Sequence, residues 1–202
     1  MSLTPEQLQW FCAQASDERE FMRKPFRRGA FVYATNGHIG VRVPGDGIEA
    51  DDLPPDKLLG LEGLFDRPPP GALVDFPTVP LAAKCVSCKG KRTVRLGNCE
   101  DCNGEGTFFH GQHEYDCKHC YGDGWTDDYS DSTQVEDRPC GHCNGLGRIG
   151  TRHVVATAGF QQVYLNWIAR LPGPVLFAAG GPEDPAAFTF DGGNGVLMPM
   201  RA

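Results

Sequence analysis

At 202 residues, with 40% hydrophobic and 22% charged residues, the chain is long enough for one real hydrophobic core and for one or two domains. Its 26 glycines and 16 prolines make it rich in turns, and a net charge of -7 excludes a polyanion held by the overall field, leaving that task to local basic patches. No run of about 18 apolar residues exists to span a bilayer, and the opening MSLTPEQLQWFC lacks a basic segment followed by an apolar one, so no secretory leader is expected and the chain is read as cytoplasmic, without a membrane partner.

Thr4 is a helix cap, Pro5 suits a first helical position, and Leu8, Phe11 and Cys12 form an apolar stripe, which predicts a helix from about Pro5 to Gln14. In GAFVYATNGHIGVRV two apolar runs flank Asn36-Gly37, a hairpin signal because both turn residues tolerate positive φ. Residues 44–79 are rich in proline and acid, with an apolar cluster at Leu58 to Leu64 and a strand expected near Ala72 to Phe76. After Gly150, RHVVATAG reads as a strand. FQQVYLNWIARL reads as a helix with Phe160, Val163, Tyr164, Trp167, Ile168 and Leu171 on one face, stopped by Pro172-Gly173. PVLFAA, AAFTF and GVLMPM are short strands separated by GGPEDP and DGGN turns. The fold class expected is α+β: residues 1–80 with 151–202 form one small core, and 81–150 form an insertion.

That insertion has few aliphatic residues and cannot fold by burial, but it holds eight of the nine cysteines, only Cys12 standing apart. They come as CVSCKGKR from Cys85, CEDCNGEG from Cys99, CKHCYGDG from Cys117 and CGHCNGLG from Cys140, the first copy lacking the last glycine. Zinc prefers a tetrahedron of thiolates, and two cysteines separated by two residues reach it from one tight turn. Gly90, Gly104, Gly122 and Gly145, each at the same offset after a pair, supply the positive φ such a turn demands. Four knuckles make two four-thiolate sites, hence two Zn²⁺, and structural zinc contributes on the order of 10–16 kcal/mol per site in small peptides. An iron–sulfur cluster is the main competitor. A redox pair wants a strand-to-helix setting, and a haem attachment wants histidine where Lys89, Asn103, Tyr121 and Asn144 stand. His119 and His142 sit inside their knuckles, where a third ligand from the same turn is awkward, and read as spectators.

Cys85 to Gly147 resembles the cysteine-rich zinc domain of DnaJ-type co-chaperones, whose signature is four CxxCxGxG repeats. The resemblance implies one zinc on Cys85, Cys88, Cys140 and Cys143 and a second on Cys99, Cys102, Cys117 and Cys120, whereas spacing alone leaves neighbour pairing open. The family's J domain with its His-Pro-Asp tripeptide is absent, so stimulation of a partner chaperone is not implied, while binding of unfolded protein stays open. Phe108, Phe109, Tyr115 and Trp125 are the aromatics available to grip a partner, or to pad the hairpins between knuckles.

VYATNGHIGVRV and the closing GVLMPMR resemble a hairpin and the C-terminus of bacterial sliding clamps, in which the C-terminal strand borders a pocket for partner peptides. That implies Leu197, Met198, Pro199 and Met200 as contacts. Two basic runs, Arg19, Arg23, Lys24, Arg27 and Arg28, and Lys84, Lys89, Lys91, Arg92 and Arg95, are the nucleic-acid clue, set against a default of solvated surface. Asp127, Asp128 and Asp131 read as a solvated acidic loop rather than a cation site. No phosphate loop, GxSxG elbow or HExxH helix occurs, and a four-cysteine site keeps no open position for water. The expected function is a non-catalytic zinc protein whose partner is another protein, the alternative being a nucleic-acid-binding replication accessory related to clamps.

Overall fold

The computed structural model describes residues 3–15, 17–53, 61–67, 69, 71–127 and 132–201. They divide into unit 1, Met1–Ala83 with Arg148–Ala202, and unit 2, Lys84–Gly147. The chain begins with α1 (Pro5–Gln9), β1 (Phe26–Arg28), β2 (Phe31–Thr35), β3 (Ile39–Pro44), β4 (Asp51–Asp52), α2 (Leu61–Phe65) and β5 (Leu73–Val74). There follow β6 (Ala83–Lys84), β7 (Thr93–Asn98), β8 (Thr107–His110), β9 (His113–Asp116), β10 (Trp125–Thr126) and β11 (Val135–Pro139). The last elements are β12 (Arg148–Ile149), β13 (Arg152–Val155), β14 (Ala158–Gln161), α3 (Gln162–Ile168), β15 (Val175–Phe177), β16 (Ala186–Phe190) and β17 (Gly193–Leu197). The architecture is mixed and strand-rich, with short helices.

Unit 1 is organised by a sheet in the order β4-β1-β2-β3-β17-β16-β15-β5. Its two chain segments meet at the antiparallel β3–β17 pair, where Ile39 opposes Leu197 and Val41 opposes Gly195. Directly opposed residues share a face, so Val32, Ala34, Ile39, Val41, Val43, Phe188 and Leu197 form one apolar side, all of it fully buried. Gly195 is required there because a Cβ would come within 2.0 Å of the Phe188 ring. On the opposite side Phe26, Tyr33 and Val196 pack with Phe65 of α2, Phe26 and Tyr33 stacking at 5.8 Å. Phe11 meets Trp167 of α3 edge to face at 6.0 Å.

Several elements differ from the sequence expectation for local reasons. Thr4 and Gln7 form a reciprocal capping box, yet α1 ends at Gln9 because Phe11 and Cys12 donate to Leu8 and Gln9, three residues back, and Ala13 then pairs with Met22. RHVVATAG is a hairpin rather than one strand: Ala156 takes φ 53° and Val155 pairs with Ala158. Phe160 and Gln161 consequently belong to β14, and the helix starts at Gln162. In the Asn36-Gly37 hairpin only Gly37 has positive φ, at 87°. Asn36 acts instead through Oδ1, which accepts from the His38 and Ile39 amides at 2.9 and 3.1 Å. The strand near Ala72 to Phe76 shrinks to β5, and the strand in GVLMPM ends at Leu197, the Met198 and Met200 amides then donating to His38 O and Gly159 O. Leu58, Asp128 and Asp131 lie outside the described residues. No helix among the described residues is long and apolar enough to cross a membrane.

One polar residue of α3 secures the chain just before unit 2. Asn166 is buried at 7% exposure, its Oδ1 accepting from the Ala82 amide at 2.8 Å and its Nδ2 donating to the Pro80 carbonyl at 3.1 Å. Asn166→Ala leaves the Ala82 amide without its acceptor, the Pro80 carbonyl keeping Gln162 Nε2 at 2.8 Å, and we expect unit 1 to lose about 1–3 kcal/mol in urea unfolding of the metal-loaded protein.

Candidate metal centres

Each knuckle is the same backbone turn. After the second cysteine come two left-handed residues, Lys89 and Gly90, Asn103 and Gly104, Tyr121 and Gly122, Asn144 and Gly145, with φ between 48° and 89°. Positive φ, expected at glycine alone, begins one residue earlier, where asparagine is the signal in two of four repeats. Within the turn the amides of Gly104, Gly122 and Gly145 donate to the carbonyl of the first cysteine at 2.9, 3.1 and 3.0 Å.

The knuckles associate in pairs, first with fourth and second with third. Cys85, Cys88, Cys140 and Cys143 form one buried tetrad and Cys99, Cys102, Cys117 and Cys120 the other, the sulfurs of each lying within 4.8 Å of one another. Across the pairs, Sγ of Cys85 is 3.8 Å from Cys140 and Cys88 is 3.7 Å from Cys143; Cys99–Cys117 and Cys102–Cys120 repeat 3.8 and 3.7 Å. A tetrahedral ion with metal–sulfur bonds of about 2.3 Å places its sulfurs about 3.8 Å apart, so both donor sets fit a single tetrathiolate-bound ion. The same spacing is far beyond the roughly 2.05 Å of a disulfide. It also leaves no room for the inorganic sulfide of a multi-iron cluster, which would spread the four thiolates.

The pairing is enforced by backbone. In the second tetrad the Cys99 amide donates to Gly124 O at 2.8 Å and the Cys117 amide to Gly106 O at 2.7 Å, a reciprocal exchange. The first tetrad repeats it: Cys85 donates to Gly147 O at 3.0 Å and Cys140 to Arg92 O at 2.9 Å. The last glycine of a repeat lies flat on the partner knuckle, since a Cβ on Gly106 would sit 2.2 Å from Gly122 O and one on Gly124 would sit 2.3 Å from Gly104 O. Its amide also donates to the second cysteine's sulfur, as Gly106 to Cys102 at 3.2 Å, Gly124 to Cys120 at 3.1 Å and Gly147 to Cys143 at 3.2 Å. Arg92 occupies the missing glycine's position with φ 73°.

Amide donors set the thiols apart. Those of Cys88 and Ser87 lower Cys85 to about 6, and those of Cys120 and His119 lower Cys117 to about 7. Burial pushes Cys99 and Cys143 up to about 12. Cys85 and Cys117 are therefore the thiols most ready to ligate near neutral pH, and metal binding displaces protons from Cys99 and Cys143.

Other candidate residues are placed as follows. His119 pairs with Asp101 at 3.1 Å and, like His142, belongs to neither tetrad. Phe108 and Phe109 lie on β8, 43% and 71% exposed, with Tyr115 opposite Phe108 on β9. Trp125 is half-buried beneath the Arg138 guanidinium, 4.5 Å from its ring centre. In unit 1, Met198, Pro199 and Met200 border an open cavity of about 460 Å³ together with Gly37, His38 and Tyr164. Leu197 is a correction: it is fully buried in the sheet core, so it has no surface to offer a partner. The first basic run is largely spent internally, Arg19 on Asp17, Arg23 on Glu20 and Lys24 on Asp51. No family model, no curated protein and no solved structure matches the chain.

Elemental analysis of the purified chain should find about two metal equivalents, falling to about one in Cys117→Ser. Gly106→Ala should act like loss of a ligand and release the ion of the second tetrad, whereas Arg92→Gly, which restores the repeat, should keep both.

Proposed function

We propose that the chain is a non-catalytic, cytoplasmic zinc protein in which unit 2, a DnaJ-like finger, is presented to another protein, including unfolded polypeptide. The observation that carries this reading is the combination of two closed tetrads with the exposed aromatic hairpin β8–β9 beside the second of them. Zinc suits the sites because four thiolates in a tetrahedron favour a borderline-soft ion without redox chemistry, and reduced thiols suit a reducing compartment. With all four positions filled by cysteine, such an ion holds structure and keeps no place for a reactive water. Among the described residues the hairpin is a two-stranded sheet of its own, and its exposed Phe108, Phe109 and Tyr115 are left for a partner.

A second reading, a replication accessory related to sliding clamps, draws support from the cavity that joins the Gly37-His38 turn to Met198 and Met200, where a short peptide has room.

The test of the first reading is light scattering from a chemically denatured test protein. The zinc-loaded chain at equimolar ratio should suppress aggregation, and Phe108→Ser/Phe109→Ser, still carrying its metal, should lose most of that effect. Unchanged scattering with the native chain would refute the proposal.

A further inference from the structure

Charge is segregated within unit 2. Carboxylates gather around the second tetrad, at Glu100, Asp101, Glu105, Glu114, Asp116 and Asp123 with Lys118 among them, while Lys84, Lys89, Lys91 and Arg95 lie in or next to the first knuckle, Arg95 opposite Asp137 in the β7–β11 register. All four cations are exposed, and among the described residues none has an ion-pair partner. That contrasts with Arg19, Arg23, Lys24 and Arg42, each of which holds a carboxylate. In a chain carrying seven more acids than bases, cations that their own carboxylates leave unmatched mark a surface kept for another anion.

These residues have a shape to act through. Lys89, Lys91 and Arg95 line a cleft of about 690 Å³ between the first knuckle, β7 and the Gly141–Cys143 turn, with the Ser87 and Thr93 hydroxyls and His142 beside them and, among the described residues, Asp127 as the carboxylate on its rim. The Lys84 stem lies 3.7 Å from where a Cβ on Gly90 would stand, at the same knuckle. Cations spaced along a groove, interleaved with hydroxyl and imidazole donors, match a chain of phosphodiesters rather than one isolated anion. A single strand, unlike the rigid rod of a duplex, can bend its backbone to follow such a groove. The tetrathiolate below carries charge -2 once loaded, which these cations more than offset.

We infer that the cleft over the first tetrad is a docking site for the phosphate backbone of single-stranded nucleic acid. It goes beyond the protein-binding reading and does not depend on it. About three or four phosphates are neutralised, so the logarithm of the binding constant should fall with that of salt with a slope of about -2 to -3.

The test is fluorescence anisotropy of a labelled oligothymidylate with the full-length, zinc-loaded chain, from about 50 to about 200 mM salt. The decisive variant is Lys89→Asn/Lys91→Glu, which gives the first knuckle the residues that Asn103 and Glu105 supply in the second, so the turn is preserved. It should keep two metal equivalents and lose roughly tenfold or more in affinity at low salt. Lys24→Ala, in the basic run spent on internal pairs, should bind like the native chain. No binding at low salt, binding indifferent to salt, an equal loss in Lys24→Ala, or full affinity in the double variant overturns the inference. Equal affinity for a duplex of the same length overturns its single-strand assignment. None of these outcomes touches the aggregation assay, because neither lysine lies on β8 or β9.

Discussion

Unit 2 depends on sulfur ligation in place of an oily interior. Apart from its eight cysteines, Leu146 is the one hydrophobic side chain that is buried among its described residues. A segment with so little to bury cannot offset the entropy of ordering its backbone, about 1–2 kcal/mol per residue, by exclusion of water. The tetrads supply the difference as cross-links. One joins sulfurs 55 residues apart and the other, nested inside it, sulfurs 18 residues apart, so ordering the inner site shortens the loop that the outer must close.

The four repeats become two copies of one joint. Each joint is a reciprocal exchange of cysteine amides and repeat-end carbonyls, and this is what makes the sulfurs converge to 3.7–3.8 Å before any ligand strength is considered. Where the repeat decays, at Arg92, the carbonyl still receives Cys140, because that bond needs only the backbone path. A left-handed arginine costs roughly 1–2 kcal/mol relative to the allowed regions. In exchange a cation stands within electrostatic reach of Cys143, and burial pushes that guanidinium below its ordinary value. The first tetrad thus has a positive neighbour exactly where the second has glycine, which fits the opposite charge of the two ends of unit 2.

The ligands were legible in the sequence because the CxxCxG spacing is a backbone requirement written out four times. Their pairing was not, since spacing is equally compatible with neighbouring knuckles, and only the resemblance pointed to the nested arrangement. The β2–β3 hairpin was legible as two apolar runs around Asn36-Gly37, in which Val32, Ala34, Val41 and Val43 take one buried face and Tyr33 the other. What escaped was decided by tertiary contact. Phe160 fits a helical stripe as well as it fits β14, and the partner strand β13 arbitrates. Leu197 reads as an apolar residue near an exposed end until β3 and β16 close over it. Asn166 carries no local signal at all, because its partners are carbonyls more than eighty positions earlier.

Two currencies of stability within one chain follow from this. Unit 1 rests on burial across an eight-stranded sheet, which answers to temperature and denaturant through the surface it exposes. Unit 2 rests on ligation by thiolates, which answers to protons, chelators and oxidants that leave apolar packing alone. Because β8–β9 and the cleft beside β7 both belong to unit 2, the surfaces proposed there for a macromolecular partner would last only while the tetrads are reduced and loaded. Metal supply and thiol state therefore govern those surfaces without altering a single residue in them, whereas the cavity bordered by Met198 and Met200 in unit 1 is independent of both.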